Sequence, residues 1–312
     1  MNPPPSPETL PVCWLWLPAR DLLAAFAAAP DPERFFLEGS AEGAVGSVLG
    51  LGCVRALEAT GPGALAELGR QRVGLGRSLR PCGEAVAYGG AVLVGGAAFD
   101  GGRTTGPVWE GFPPGRLVLP RVLARLEAEG LRVAVAGESD PEAARAVAEA
   151  ALAGRGCTDA SVGTAGPPLG SAALASGSRP LDAFAGESRL FADPVPGRAS
   201  AAEGTCAWEP GQAACELCLV SEPAPEGYRR RVARALEAIA AGGLEKVVVA
   251  RSCRLEAAEP FDAARALRRL QAAQGASRLF AVARGARTFL GATPERLAEV
   301  REGRVRVEAL AG

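Results

Sequence analysis

Two mostly apolar stretches, Cys13–Phe26 and Glu33–Glu38, open the hydrophobic pattern of the chain and begin its core. The residues ahead of them, through Pro11, are proline-rich and predict a mobile extended arm. Val86–Asp100 combines β-forming residues with glycine punctuation, which predicts strands joined by tight turns. Leu119, Val122, Leu123 and Leu126 fall at helical spacing, so a helix is expected over Leu117–Glu129 with Gly130 as its C-cap. Val133–Ala136 is a candidate short strand. Asp140 then starts a second helix over Pro141–Ala153.

From Gly154 to about Gly211 glycine, serine, alanine and proline dominate and neither period persists. A structureless connection of that length is uncommon inside a compact domain, so the stretch is expected to be an irregular insertion or linker. Order returns at Pro225. Val232, Ala235, Leu236 and Ile239 form an i, i+3, i+4, i+7 stripe on a helix over Tyr228–Ala241, closed by Gly242-Gly243. Leu244–Ala250 (LEKVVVA) predicts a strand and Phe261–Gln274 a helix. Two hairpins follow, Arg278–Arg284 with Arg287–Leu290 around Gly285, and Arg296–Val300 with Arg304–Glu308 around Glu302-Gly303. This succession indicates an α+β fold rather than a doubly wound sheet. The expected organisation is a disordered arm (1–11), an N-terminal part (12–153), the irregular stretch (154–211) and a C-terminal region (212–312).

Charge and composition remove several classes of function. The 34 basic residues are matched by 35 acidic ones, so no basic excess exists to hold a phosphate backbone, and nucleic acid is not an expected partner. Apolar runs such as Ala91–Phe99 are too short and glycine-rich to span a bilayer, and Met1–Pro7 has no signal-peptide pattern. The eight cysteines are irregularly spaced in a long chain, which fits reduced thiols in a cytoplasmic protein; a monomer is expected. The sequence contains no histidine. That excludes a Ser-His-Asp triad, a Cys-His pair and histidine zinc motifs within these residues, leaving acid–base work to Lys, Glu, Asp, Tyr or Cys.

Lys246 is the first candidate. On a strand it would share a face with Leu244, Val248 and Ala250, and desolvation there would disfavour its charged form. Lowering its pKa to between 7 and 8 would make a general base at a cost of roughly 3–4 kcal/mol. Taken alone, a lysine snorkelling from a strand edge is the commoner case. Glu295 is the second. Pro294 pushes Thr293 toward an extended conformation, which can turn the chain sharply and aim the carboxylate into a cleft. The alternative is a surface glutamate paired with Arg296. Cys215-Glu216-Leu217-Cys218 lacks both a complete zinc ligand set and a thioredoxin-like context. Gly50-Leu51-Gly52 and Gly74-Leu75-Gly76 match no phosphate-binding loop and are expected to be turns, and Arg229-Arg230-Arg231 the solvated start of a helix.

Three successive blocks resemble the signatures of chorismate-utilising enzymes. They are Leu244-Glu245-Lys246-Val247-Val248-Val249-Ala250-Arg251, then Phe289-Leu290-Gly291-Ala292-Thr293-Pro294-Glu295-Arg296-Leu297, then Glu308-Ala309-Leu310-Ala311-Gly312. Upstream, Phe35-Phe36-Leu37-Glu38, Gly95-Gly96-Ala97-Ala98-Phe99-Asp100, Trp109-Glu110-Gly111-Phe112-Pro113 and Leu117-Val118-Leu119-Pro120-Arg121 are similar to the N-terminal half of isochorismate synthases, more in the manner of the menaquinone branch than the siderophore branch. The resemblance implies large, mostly antiparallel sheets packed with outer helices, and chorismate as substrate. It implies that Lys246 activates water for attack at C2, that Glu295 protonates the departing C4 hydroxyl, and that Leu310, Ala311 and Gly312 form a turn whose backbone approaches the substrate. Related ammonia-using enzymes carry glutamine or alanine where Lys246 stands, so lysine points to water as nucleophile.

The resemblance also implies Mg2+ held by glutamates from segments beyond the Ala-Leu-Ala-Gly turn, with an arginine and a tyrosine on the substrate carboxylates. The sequence stops at Gly312 and contains none of these, so the expectation is a truncated chain that by itself neither binds Mg2+ tightly nor turns over chorismate. The alternatives are a non-catalytic fragment or degenerate relative acting as a binding protein, or another chorismate enzyme such as a salicylate synthase or anthranilate synthase component I.

Overall fold

The computed structural model describes residues 9–38, 46–84, 93–101, 106–157, 218–257, 259–273, 277–301 and 304–307. The chain divides into two compact units, Met1–Pro167 with Asp262–Gly312, and Pro168–Phe261.

The larger unit is built on an eight-stranded sheet. In chain order its strands are β1 (Leu10–Leu17), β2 (Glu33–Leu37), β3 (Val48–Leu51), β5 (Leu79–Gly83), β8 (Val122–Glu127), β9 (Gly130–Ala136), β12 (Arg278–Arg284) and β13 (Arg287–Thr293). Their spatial order is β13-β12-β2-β3-β8-β9-β1-β5. Every pairing is antiparallel except the last, where β5 runs parallel to β1. The first strand begins at Leu10, so pairing reaches into the segment expected to be an arm; residues 1–8 lie outside the described residues.

Alternation along the strands sorts their side chains onto two faces. On one face Cys13, Leu15, Leu17, Leu49, Leu131, Val133 and Val135 meet helices α1 (Leu22–Ala28), α3 (Pro141–Leu152) and α5 (Ala263–Ala273). Phe26 of α1 and Leu267 of α5 are buried in that layer. On the other face Val12, Trp14, Val48, Leu123 and Ala134 pack with Val94 and Val118. Those two belong to a smaller sheet of β4 (Arg55–Ala59), β7 (Gly115–Leu119) and β6 (Val94–Ala97), in the order β4-β7-β6. Helix α2 (Ala64–Ser78) packs Ala64 and Leu68 against its Ala59 and Leu117. A short hairpin, β14 (Glu299–Arg301) with β15 (Arg304–Arg306), completes the unit.

The helix expected over Leu117–Glu129 is two strands, β7 and the first part of the β8–β9 hairpin. Pro120 stands between them, and a proline there interrupts a helix by removing a donor and crowding the preceding turn. Gly130 is not a C-cap. It opens β9 at φ 138°, where an added Cβ would lie 2.7 Å from the Leu17 carbonyl oxygen, so both its conformation and its close approach require glycine. The expected turns at Gly50 and Gly74-Leu75-Gly76 are likewise corrected. Gly50 is in β3, and Gly74 and Gly76 lie inside α2, whose packed face outweighs the helix propensity they lack. Helix α3 forms as expected: Pro141 sits at its first turn and the Asp140 carboxylate accepts the Ala143 N–H at 3.1 Å. Asp140→Ala is expected to cost about 1 kcal/mol in urea unfolding. An unchanged midpoint would show that the cap contributes nothing.

In the smaller unit β10 (Cys218–Glu222) pairs antiparallel with β11 (Ser252–Glu256), and α4 (Pro225–Ala240) carries proline at its start and Gly242, at φ 75°, past its end. Ala235 is buried as the stripe predicts, but Leu236 falls outside it and is exposed. The strand expected at Leu244–Ala250 is absent: residues 246–250 have no regular secondary structure, and Val248 is 84% exposed. β-propensity is expressed only where a partner strand accepts the ladder, and among the described residues none pairs with this run. The expected irregular stretch lies outside the described residues from 158 to 217, and with it Cys206 and Cys215.

Candidate active site

Lys246 lies in the smaller unit, in the irregular run that follows α4, and its side chain is exposed. The desolvation expected of a strand lysine is therefore not found. What holds the run in place is Tyr228, near the start of α4. Its hydroxyl donates to the Val249 carbonyl at 3.3 Å, and the Arg251 guanidinium lies over its ring at 5.5 Å. One amphipathic side chain thus ties both the backbone and the following arginine of this run to the helix.

Glu295 lies in the larger unit, two residues past the end of β13. The Glu295 N–H donates to Thr293 Oγ1 at 3.2 Å, and the same hydroxyl reaches the Glu295 carbonyl at 3.5 Å. Thr293 thereby closes the turn that Pro294 initiates. Arg296 makes its ion pair with Glu299, not with Glu295. The surface pairing that would have made Glu295 an ordinary loop residue is not formed, and its carboxyl faces solvent.

The strand leading to Glu295 is fixed from outside the hairpin, by residues whose role the sequence did not disclose. Arg287 donates to the Glu110 carbonyl at 2.7 Å and to its carboxylate at 2.6 Å, and Arg284 donates to the Gly111 carbonyl at 3.0 Å. Trp109 packs edge-on against Phe289 at 5.2 Å, and Phe289 against Phe280 at 5.3 Å. Phe280 in turn lies over Gly291, where a Cβ would meet the ring at 2.9 Å. The Trp109-Glu110-Gly111-Phe112 segment is therefore a docking loop for β12–β13. The signal available in the sequence was aromatic and charged residues around a glycine, which names no partner.

A small open cleft of about 20 Å³ in the larger unit is lined by Glu33, Arg34, Gly50, Val94, Pro120 and Arg284, among others, and not by Glu295. Beside it Arg116 bridges Glu33 and Glu58. Desolvation beside the Glu33 and Glu58 carboxylates pushes the nearby Cys53 thiol up to about 11. Leu310, Ala311 and Gly312 lie outside the described residues. Among the described residues no three His, Cys, Asp or Glu side chains gather as a metal centre would need. No helix among them is long and apolar enough to cross a membrane.

Residues 201–312 match the family described as "Chorismate binding enzyme". The structure is similar to that of MenF, the menaquinone-specific isochorismate synthase from Escherichia coli, with a TM-score of 0.53 and 19% identity. That likeness is one of fold, and it covers 93% of this chain but 52% of the other, so the chain spans about half the length of that relative. No curated protein sequence matches the chain.

Proposed function

We propose, for a chain whose residues 201–312 match the chorismate-binding enzyme family, that it serves the hydration chemistry of an isochorismate synthase. The observation that carries this reading is that Lys246 and Glu295 both fall inside the matched region, each with its side chain exposed. Lys246 removes a proton from water as its oxygen attacks C2 of chorismate. The ring double bonds shift, and Glu295 supplies the proton with which the C4 hydroxyl leaves as water. Both partners are needed because water is a poor nucleophile and hydroxide a poor leaving group. Substrate and product are isomers, so the proton gained by Lys246 and the one lost by Glu295 cancel through solvent after each turnover.

The likeness to MenF in fold, together with the blocks around Phe36, Asp100 and Trp109, favours the menaquinone type over the siderophore type. The test is chromatographic. The full-length gene product carrying these residues, supplied with chorismate and magnesium, is expected to yield isochorismate. Anthranilate formed in the presence of ammonium, or no product above a protein-free control, overturns the reading.

A further inference from the structure

The parallel pairing of β1 with β5 brings two cysteines together that lie 69 positions apart in the sequence, Cys13 and Cys82, as direct Cα partners in the register. Adjacent strands run about 4.8 Å apart, inside the Cα separation of about 4.4–6.8 Å that a disulfide spans. Both side chains point to the same face of the sheet. Cys13 is part of the core layer beneath the helices, and Cys82 packs against that layer from the edge. The Cys82 thiol lies near enough to raise the Cys13 thiol through charge and hydrogen bonding. Gly83, at φ 91°, keeps the strands close at this point: a Cβ there would come within 3.0 Å of Cys13 Sγ and 2.2 Å of the Trp14 carbonyl oxygen.

We propose that Cys13 and Cys82 form an oxidation site, closing to a disulfide that staples the edge strand β5 to β1. The two differ in access, which sets the order of events. Cys13 is fully buried, whereas Cys82 is partly exposed and sits at the sheet edge, where its thiol lies 3.6 Å from the Val12 carbonyl and 3.8 Å from those of Glu138 and Ser139. With a low-molecular-weight disulfide such as oxidised glutathione as oxidant, the Cys82 thiolate attacks one sulfur. A mixed disulfide forms and one glutathione thiolate leaves. Cys13, deprotonated, attacks the Cys82 sulfur and releases the second. Two protein thiols are oxidised, one glutathione disulfide is reduced to two thiols, and the protons lost by the cysteines pass through solvent to the departing thiolates. Burial first, then Cys82, Asp140 and Glu84, hold the Cys13 thiol up at about 11, so closure is slow at neutral pH. Once formed, the bond constrains the chain between positions 13 and 82, including α2 and the small-sheet strand β4, and removes conformational freedom from the unfolded state.

The test uses the reduced protein incubated with oxidised glutathione, quenched by alkylation and digested without reductant. The expected product is a peptide pair joining Cys13 to Cys82, lighter by two hydrogen atoms, together with a rise in thermal midpoint that dithiothreitol reverses. Cys82→Ser, or Cys82→Ala should the serine variant fold poorly, abolishes both the cross-link and the rise, while Cys253→Ser at an exposed strand position leaves them. A glutathione adduct that persists on Cys82, a disulfide between other cysteines, or a rise retained in the Cys82 variants overturns the proposal.

Discussion

Replacing Lys246 by glutamine in the full-length gene product is expected to lower turnover of chorismate by roughly 10²–10⁴, the contribution of one positioned proton acceptor. The loss should fall on kcat, with KM little changed, because the amine acts on the attacking water and not on the substrate carboxylates. Lys246 is exposed and sits in a run without regular secondary structure, so no ladder and no core packing is disturbed. The run itself is held by Tyr228 through the Val249 carbonyl and the Arg251 guanidinium, neither of which involves the lysine's own carbons. Urea unfolding of the variant should therefore match the parent within about 0.5 kcal/mol. Turnover within a few-fold of the parent would remove Lys246 from the chemistry. A parallel fall in stability would mean instead that the run had been packed by its side chain.

The exposure of Lys246 changes what the reading requires. A lysine already desolvated on a strand would come prepared as a base. An exposed one acquires that role when bound substrate and the surfaces that enclose it displace water. Glu295 differs in kind. Its backbone is already held by Thr293, at the end of a strand locked by Phe280 over Gly291 and by the Trp109–Phe112 loop on its hairpin. The backbone of the proposed acid is placed by the fold, whereas the proposed base stands on a tethered but irregular run.

The sequence disclosed the elements whose signals are local. Asp140-Pro141 announced α3, and Gly285, at φ 57°, announced the β12–β13 turn. The α+β class followed from the succession of such elements. It failed where an apolar run fits both periods: Leu119, Val122, Leu123 and Leu126 match a helical stripe, yet their neighbours across β3, β4 and β9 claim them as strands. It failed in the opposite sense at Leu244–Ala250, where β-branched residues find no partner among the described ones. The candidate site was legible only as residue types, a lysine and a Pro-Glu pair able to transfer protons. The support of Glu295 was not, since Arg287 meeting Glu110 brings together residues 177 positions apart, which no local pattern encodes.

The largest loss of stability is expected from Phe26→Ala, at about 3–5 kcal/mol in urea unfolding followed by near-ultraviolet dichroism. Phe26 is 2% exposed on α1, a helix of only seven residues that cannot persist without its packed face. Its ring meets Phe36 of β2 at 6.3 Å and carries the Arg34 guanidinium at 5.2 Å. Arg34 in turn donates to the Ala29 carbonyl at 2.6 Å and to the Phe26 carbonyl at 3.4 Å, satisfying acceptors at the end of the same helix. Removing the ring loses about 1.5–3 kcal/mol of buried apolar transfer. It also leaves a cavity between helix and sheet and takes away the surface on which a half-buried cation rests, each adding to the cost. Leu236→Ala, on the exposed side of α4, serves as the contrast and should change stability by less than about 0.5 kcal/mol. If Phe26→Ala cost no more than Leu236→Ala, the helical layer would not be held to the eight-stranded sheet by this contact.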